Sequence, residues 1–166
     1  MTPLPALLDK ELTEQGVDVR ELGENDLEFA AAAIRSLVTR LKTRTTWESH
    51  VGALLTHSQV LDLTGWSKQA LSQAVGDHRV LRLESDGNHA YLLAGFDDQS
   101  PARPLRGIKK AFTAWAAVDP RGWAAASWLM SPQPELGGRT PREALIAGMS
   151  EEAAILAERA AARLAA

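Results

Sequence analysis

The residue types that most often catalyse reactions or bind metals are absent from this chain or poorly spaced. There is no cysteine, and no two histidines lie at i, i+3 or i+4 with a carboxylate partner that suggests a metal site. No serine lies in a nucleophile elbow, and Gly137-Gly138 lacks the Gly-Lys-Ser/Thr pattern of a phosphate loop. We therefore expect a protein that is not an enzyme, has no metal or cofactor, and carries its histidines on a solvated surface. The four histidines are His50, His57, His78 and His89.

A different chemistry is available in the segment "LTHSQVLDLTGWSKQALSQAVGD", residues 55–77. Glutamine can bond adenine through two hydrogen bonds, lysine can reach guanine, and serine can bond a base or a phosphate. From Ser67 onward, the segment carries such side chains in one short run, with no acid before Asp77. They are Ser67, Lys68, Gln69, Ser72 and Gln73. The set favours contacts with DNA bases, and the alternative is a polar helix face that only meets water.

Capping patterns predict the elements that position this set. Thr56 and Gln59 form a capping box, Gly65 ends the helix, and Ser67 caps a second helix that ends near Gly76. Hydrophobic-staple positions accompany both starts: Leu55 with Val60, and Trp66 with Leu71. Two short helices joined by a tight turn are typical of a helix-turn-helix, whose second helix enters the major groove. The start of the first helix would hold a phosphate through Thr56, His57 and Ser58.

The next segment, residues 79–96, changes from helical to alternating periodicity. Asp86-Gly87 is a strong hairpin-turn pattern between two apolar runs. A short hairpin that follows a helix-turn-helix is typical of a wing. Arg79 and Arg82 flank this predicted wing, and His89 lies near its tip. We expect both arginines to contribute to DNA binding.

Charge and length agree with this hypothesis without deciding it. The net charge is −3, yet residues 31–82 carry seven bases and three acids, while residues 1–30 carry eight acids and two bases. A locally basic middle suits a nucleic-acid face, and ordinary charge scatter is the alternative. The 166 residues suit one domain or two small ones. We read no membrane span and no signal peptide, so we expect a cytoplasmic protein.

The N-terminal region, residues 1–45, carries an apolar stripe. Asn25 and Glu28 form a candidate capping box for a helix over residues 26–43, and a second helix is predicted from Trp47 to Leu55. The stripe follows steps of three and four residues. It consists of Leu27, Ala30, Ile34, Leu37 and Leu41. A core helix is favoured over a dimer helix, although the stripe stays a candidate dimer surface.

The C-terminal region is predicted to be helical throughout. Residues 97–104 form a linker, followed by a helix over 105–117 and another that starts near Pro120. Thr140-Pro141-Arg142-Glu143 is a capping box for a helix that ends at Gly148, and Ser150 is predicted to cap a last helix over 151–164. Trp128 leads into a Pro/Gly turn, so we expect it at an interface rim.

The stretch "WLMSPQPELGGRTPREALIAG", followed by "SEEAAILAERAAARLA", resembles the C-terminal toxin-binding domain of the Xre/MbcA/ParS antitoxins. That family typically shows Trp-Leu, a Pro-containing turn, Leu-Gly-Gly-x-Thr-Pro, a short helix ending in Gly and an alanine-rich last helix. The resemblance covers residues 105–166. It rests on Trp128, Leu129, Pro132, Leu136, Gly137, Gly138, Thr140, Pro141, Leu145 and Gly148.

The resemblance implies a type II antitoxin that neutralises a RES-domain, NAD-degrading toxin and represses its own operon. The toxin-binding residues would be Trp128, Met130, Leu136, Gly137, Gly138, Arg139, Thr140, Pro141 and Arg142. We thus expect a mainly α fold in which residues 46–98 form a winged helix-turn-helix and residues 105–166 an all-helical toxin-binding domain. A homodimer would read two half-sites about 34 Å apart. The alternatives are a stand-alone regulator of phage or plasmid genes and a pure protein-interaction module.

Overall fold

The computed structural model describes all residues, 1–166, as a mainly helical chain with eight α-helices and one small antiparallel sheet. This confirms the expected fold class at that level. The helices are α1 (Leu4–Glu14), α2 (Glu24–Val51), α3 (His57–Thr64), α4 (Lys68–Gly76), α5 (Ile108–Ala116), α6 (Trp123–Met130), α7 (Pro141–Ile146) and α8 (Ser150–Ala165). The strands are β1 (Leu54–Leu55), β2 (Arg82–Ser85) and β3 (Asn88–Leu92). No helix is both long enough and apolar enough to cross a membrane.

Contacts group the chain into two compact units, Met1–Thr45 and Thr46–Ala166. In the first unit, α2 begins at Glu24, where the Asp26 side chain accepts a hydrogen bond from the Gly23 amide at 3.0 Å. The predicted cap at Asn25 is therefore wrong by two residues. The predicted break before Trp47 is also wrong, because no glycine or proline interrupts residues 24–51 and nothing stops the helix before Gly52.

The apolar stripe of α2 is exposed, so the prediction of a core helix is wrong. Leu27, Ile34 and Leu41 keep 54%, 51% and 44% of their surface accessible to solvent. The physical reason is that nothing in the first unit forms a core: α1 buries no residue, and Val51 is the single buried residue of α2.

The second unit has two clusters of buried residues. Its sheet has the order β1-β3-β2, with Leu54 opposite Leu92 and Leu83 opposite Ala90. The largest core cluster joins Leu83 and Leu92 of the sheet to Phe112, Leu129 and Leu156 of the C-terminal helices. The predicted segments 46–98 and 105–166 thus both contribute to this cluster within one compact unit, while α3 and α4 pack in a separate, smaller cluster.

Small residues let the C-terminal helices pack closely. Five alanines on α5, α6 and α8 have no accessible surface, because a methyl side chain allows two helix backbones to approach. They are Ala111, Ala125, Ala126, Ala153 and Ala157.

Three starts of C-terminal helices differ from the prediction. Helix α5 begins at Ile108 and not near residue 105, because Gly107 adopts a φ of 84°, outside the helix. Helix α6 begins at Trp123 and not near Pro120, because Gly122 adopts a φ of 80°, a left-handed conformation outside the helix. Ser150 is the first residue of α8 and does not cap it; its hydroxyl donates a hydrogen bond to the Arg106 carbonyl at 3.3 Å.

Candidate nucleic-acid interface

The capping residues place α3 and α4 as their sequence predicts. The Gln59 amide donates to the Thr56 hydroxyl at 3.3 Å, and the Thr56 amide donates to the Gln59 side chain at 2.8 Å. Gly65 then takes a φ of 69°, which turns the chain sharply between the helices. The Ser67 hydroxyl accepts from the Ala70 amide at 3.1 Å and starts α4. Both predicted caps are confirmed.

Helix α4 has an apolar face that packs inward and a polar face that meets solvent. Leu71 and Ala74 are buried in a cluster with Val60, Val80 and Tyr91. All five predicted base-contacting residues of this helix and its cap are exposed. They are Ser67, Lys68, Gln69, Ser72 and Gln73. The helix therefore presents only hydrogen-bonding groups and one cation on its solvent side.

The starts of α3 and α4 are electrostatically open to an anion. Neither helix has an acidic residue in its first turn, a feature that they share with α1, α5 and α6. Helix N-termini carry partial positive charge, which acids usually complement. Lys68 lies in the first position of α4, where the helix dipole disfavours a cation. A phosphate placed there would offset that repulsion.

The β2–β3 hairpin follows α4 as predicted, with Asp86 and Gly87 at φ values of 49° and 75° in its turn. The positive φ at both central residues matches the turn geometry that favours Asp-Gly. The Trp123 indole donates to the Glu84 carbonyl at 2.9 Å, and the Glu84 amide donates to the Arg121 carbonyl at 3.1 Å. These bonds anchor β2 to the start of α6.

The two arginines beside the hairpin already have acidic partners. Arg82 pairs with Glu84 at 2.8 Å, and Arg79 pairs with Asp77 at 3.5 Å while its guanidinium lies 6.0 Å from the Trp66 ring centroid. Exposed pairs of this kind contribute about 0–1 kcal/mol each, so a phosphate can displace the carboxylate. The sequence pattern indicated both arginines but not their partners.

The residues that open α3 are partly occupied by local hydrogen bonds. Thr56 uses its hydroxyl as the cap, and the Ser58 hydroxyl lies 3.4 Å from it. The His57 Nδ1 lies 3.3 Å from the Tyr91 hydroxyl, although the His57 side chain stays exposed. Of the predicted phosphate-binding groups at this helix start, the His57 and Ser58 backbone amides are the ones that the capping box does not use.

One supporting residue was not predicted. Arg103 donates through one guanidinium nitrogen to the Thr64 carbonyl at 3.0 Å and to the Ala102 carbonyl at 2.9 Å. It therefore provides a hydrogen-bond donor for the last carbonyl of α3 and fixes the loop after the hairpin against the Gly65 turn. A lone arginine in a polar loop gives no signal for a partner 39 residues away.

The Pro/Gly turn after α6 uses most of its predicted surface residues internally. Trp128 is only 7% exposed and Leu136 only 4%. The expectation that Trp128 lies at an interface rim is therefore wrong. The reason is that the aromatic ring packs beside Trp115, with centroids 6.0 Å apart, inside the main core cluster. Pro141 is buried too.

Polar residues of the same turn also make internal contacts. The Thr140 amide and hydroxyl donate to Glu143 at 2.7 and 3.1 Å, and these bonds hold the pKa of the Glu143 carboxyl below its usual range. Arg142 donates to the Ala94 carbonyl at 3.0 Å and to the Phe96 carbonyl at 3.5 Å. Arg142 thus joins α7 to the segment after β3 and is not a free surface cation.

Three of the predicted toxin-binding residues of this turn are exposed. Met130 is half-buried, while Gly137, Gly138 and Arg139 are exposed. The Arg139 guanidinium donates to the Met149 sulfur at 3.6 Å. No group of three or more acidic, histidine or cysteine side chains is placed to hold a metal ion.

Comparison with protein-family models, curated proteins and solved structures gives no match for this chain.

Proposed function

We propose that this chain is a DNA-binding transcriptional repressor in which α3, α4 and the β2–β3 hairpin act as a winged helix-turn-helix. One observation carries the proposal: α4 buries Leu71 and Ala74 and turns an acid-free polar face to solvent. In a helix-turn-helix, the second helix lies in the major groove with its first residues on base edges.

The roles of individual side chains follow from their positions on α4. Lys68 and Gln69 lie in the first turn, where they would reach guanine and adenine edges. Gln73 lies one turn further on the same exposed side, and Ser67 and Ser72 would bond phosphate or base. Arg79 and Arg82 would exchange their carboxylate partners for backbone phosphates. Such contacts fix register and do not select sequence.

Binding to the gene's own upstream DNA tests this proposal. We expect the protein to bind that duplex at least tenfold more tightly than a shuffled duplex of equal length, with affinity that falls as salt rises. Equal affinity for the two duplexes would contradict sequence-specific repression. Binding to neither duplex would contradict any DNA-binding function.

We further propose that the C-terminal helices neutralise a RES-domain toxin, as the resemblance over residues 105–166 implies. The contact residues need revision: Trp128 and Leu136 act from inside the core by holding the turn, and the surface consists of Gly137, Gly138 and Arg139. Co-expression with a RES-domain protein encoded next to this gene tests the idea.

We expect the wild-type chain to restore growth and to co-purify with that toxin. Arg139→Glu should weaken co-purification, while Arg159→Glu, an exposed change on α8, should not. Growth arrest in the presence of a folded wild-type chain would contradict the antitoxin role.

A stand-alone DNA-binding regulator is the second candidate. Burial of Trp128 and Leu136 favours it, because the turn then offers no large apolar anchor of the kind that usually dominates protein interfaces. Sequence-specific binding to upstream DNA, combined with no capture of a RES-domain protein, would select this candidate.

A further inference from the structure

An exposed apolar face runs along α2 and has no cover within the chain. We name it the α2 stripe: Leu27, Ala30, Ile34, Leu37 and Leu41. Its four large side chains keep 43–54% of their surface accessible. Steps of three and four residues keep the stripe on one side of the helix, which is the pattern of a helix that packs lengthwise on another.

Acidic residues lie near the start of α2, and basic residues lie in its second half. Residues 24–28 carry three acids and no base, and residues 35–44 carry four bases and no acid. With about 100° per residue, Asp26 and Arg40 lie on one flank of the stripe, whereas Glu28 and Arg35 lie on the side of the helix that faces away from it.

This distribution selects one orientation for a pair of identical helices. In a parallel pair, acids would face acids at one end and bases would face bases at the other. In an antiparallel pair, two-fold symmetry sets each flank against the same flank of its partner. Asp26 would then face Arg40 of the second copy. Such flanking pairs determine partner choice and orientation in paired helices.

We propose that α2 is a self-association element that pairs antiparallel with α2 of a second copy of this chain, centred near Ile34. Asp26 and Arg40 take part in no ion pair within the chain, so the pairing does not break an existing ion pair of these two residues. The proposal is independent of DNA or toxin binding.

Cysteine cross-linking of the full-length protein tests the orientation directly, because the native chain has no cysteine. An antiparallel pair centred on Ile34 puts Leu27 opposite Leu41 and separates the two copies of Leu27 by about 21 Å. A disulfide needs Cα atoms within about 7 Å. Leu27→Cys and Leu41→Cys proteins should therefore cross-link when mixed, and neither should cross-link alone.

Ser36→Cys, on the side of α2 away from the stripe, is the matched control and should remain uncross-linked. Efficient disulfide formation by Leu27→Cys alone would overturn the antiparallel orientation. Failure of the mixed Leu27→Cys and Leu41→Cys proteins to cross-link would overturn the pairing itself.

Charge reversal gives a second test that leaves the apolar contacts intact. Arg40→Glu would set a new negative charge against Asp26 of the partner at two symmetric sites, so the dimer dissociation constant should rise about three- to tenfold in sedimentation equilibrium. Adding Asp26→Arg should recover most of that loss.

A parallel pair predicts the reverse, since Arg40→Glu would then relieve repulsion between the basic halves and tighten the dimer. Ile34→Asp should give a monomer with unchanged helix content by circular dichroism. A wild-type chain that stays monomeric at about 100 μM, or a tighter Arg40→Glu dimer, would overturn the proposal.

Discussion

The α3–α4 region and the turn between α6 and α7 look equally specific in sequence but use their side chains differently. Both contain capping boxes and glycine turns. In α4, only the apolar face is buried and the polar face stays free. In the turn, Trp128 and Leu136 enter the core, and Arg142 bonds to backbone carbonyls. Capping patterns therefore locate an element, whereas long-range packing decides which of its residues remain available for a partner.

The largest effect should come from Trp128. Trp128→Ala removes a buried ring from the main core cluster, and we expect a loss of about 3–5 kcal/mol in the free energy of unfolding. Urea denaturation measures it, and Lys68→Ala on α4 is the control, with a change within about 0.5 kcal/mol. Similar values for the two variants would remove the distinction between the regions.

Of two glycines with nearly equal φ, Gly122 should tolerate substitution less well than Gly138. A Cβ at Gly122 would lie 2.8 Å from the Arg82 carbonyl oxygen, whereas a Cβ at Gly138 would meet nothing within 4 Å. Gly122→Ala should cost about 2–4 kcal/mol, from strain and clash together, and Gly138→Ala about 1 kcal/mol, from strain alone. Thermal or urea unfolding checks the difference, and equal costs would contradict the close approach of α6 to β2.

Arg142 and Arg139 sharpen the comparison within the turn itself. Arg142→Met should destabilise by about 1–3 kcal/mol, because it leaves the Ala94 carbonyl without its side-chain donor. Arg139→Met should change the free energy of unfolding by less than about 0.5 kcal/mol, since Arg139 is exposed. If the two variants unfold at the same urea concentration, Arg142 does not join α7 to the segment after β3.

The smallest effect should be a pH dependence at the start of α7. Hydrogen bonds from Thr140 lower the pKa of Glu143 in the folded state, so they stabilise the fold above the ordinary glutamate value of about 4.5. That contribution is lost as pH falls through the lowered folded pKa. Glu143→Gln should therefore flatten part of the acid limb of a stability-against-pH curve. An unchanged acid limb would contradict the ionised cap.

Local sequence patterns predicted much of the second unit. The caps at Thr56, Ser67 and Thr140 and the Asp86-Gly87 turn lie where their patterns indicate. Each of these features depends on neighbours within a few residues, so the local sequence is sufficient to predict it. The exposed set on α4 was predictable for the same reason, because helical periodicity separates Leu71 and Ala74 from the polar positions.

Features that depend on distant partners were not predictable from local patterns. The burial of Trp128 depends on Trp115 and on helices from elsewhere in the chain. The partner of Arg103 lies 39 residues away, and those of Arg142 lie 46 and 48 residues away. The exposure of the α2 stripe followed from the lack of a covering element. Periodicity predicts such a face and not what covers it.

We propose that the exposed face of α4 reads DNA bases, and one measurement tests this proposal most directly. The ratio of affinities for the gene's upstream duplex and a shuffled duplex should be determined by fluorescence anisotropy for the wild type, Lys68→Ala, Gln69→Ala and the exposed control Lys109→Ala. We expect each α4 variant to lower that ratio about 5- to 150-fold, the value of a lost base contact, with Lys109→Ala unchanged. An unchanged ratio in both α4 variants would contradict the assignment of α4 as the recognition helix.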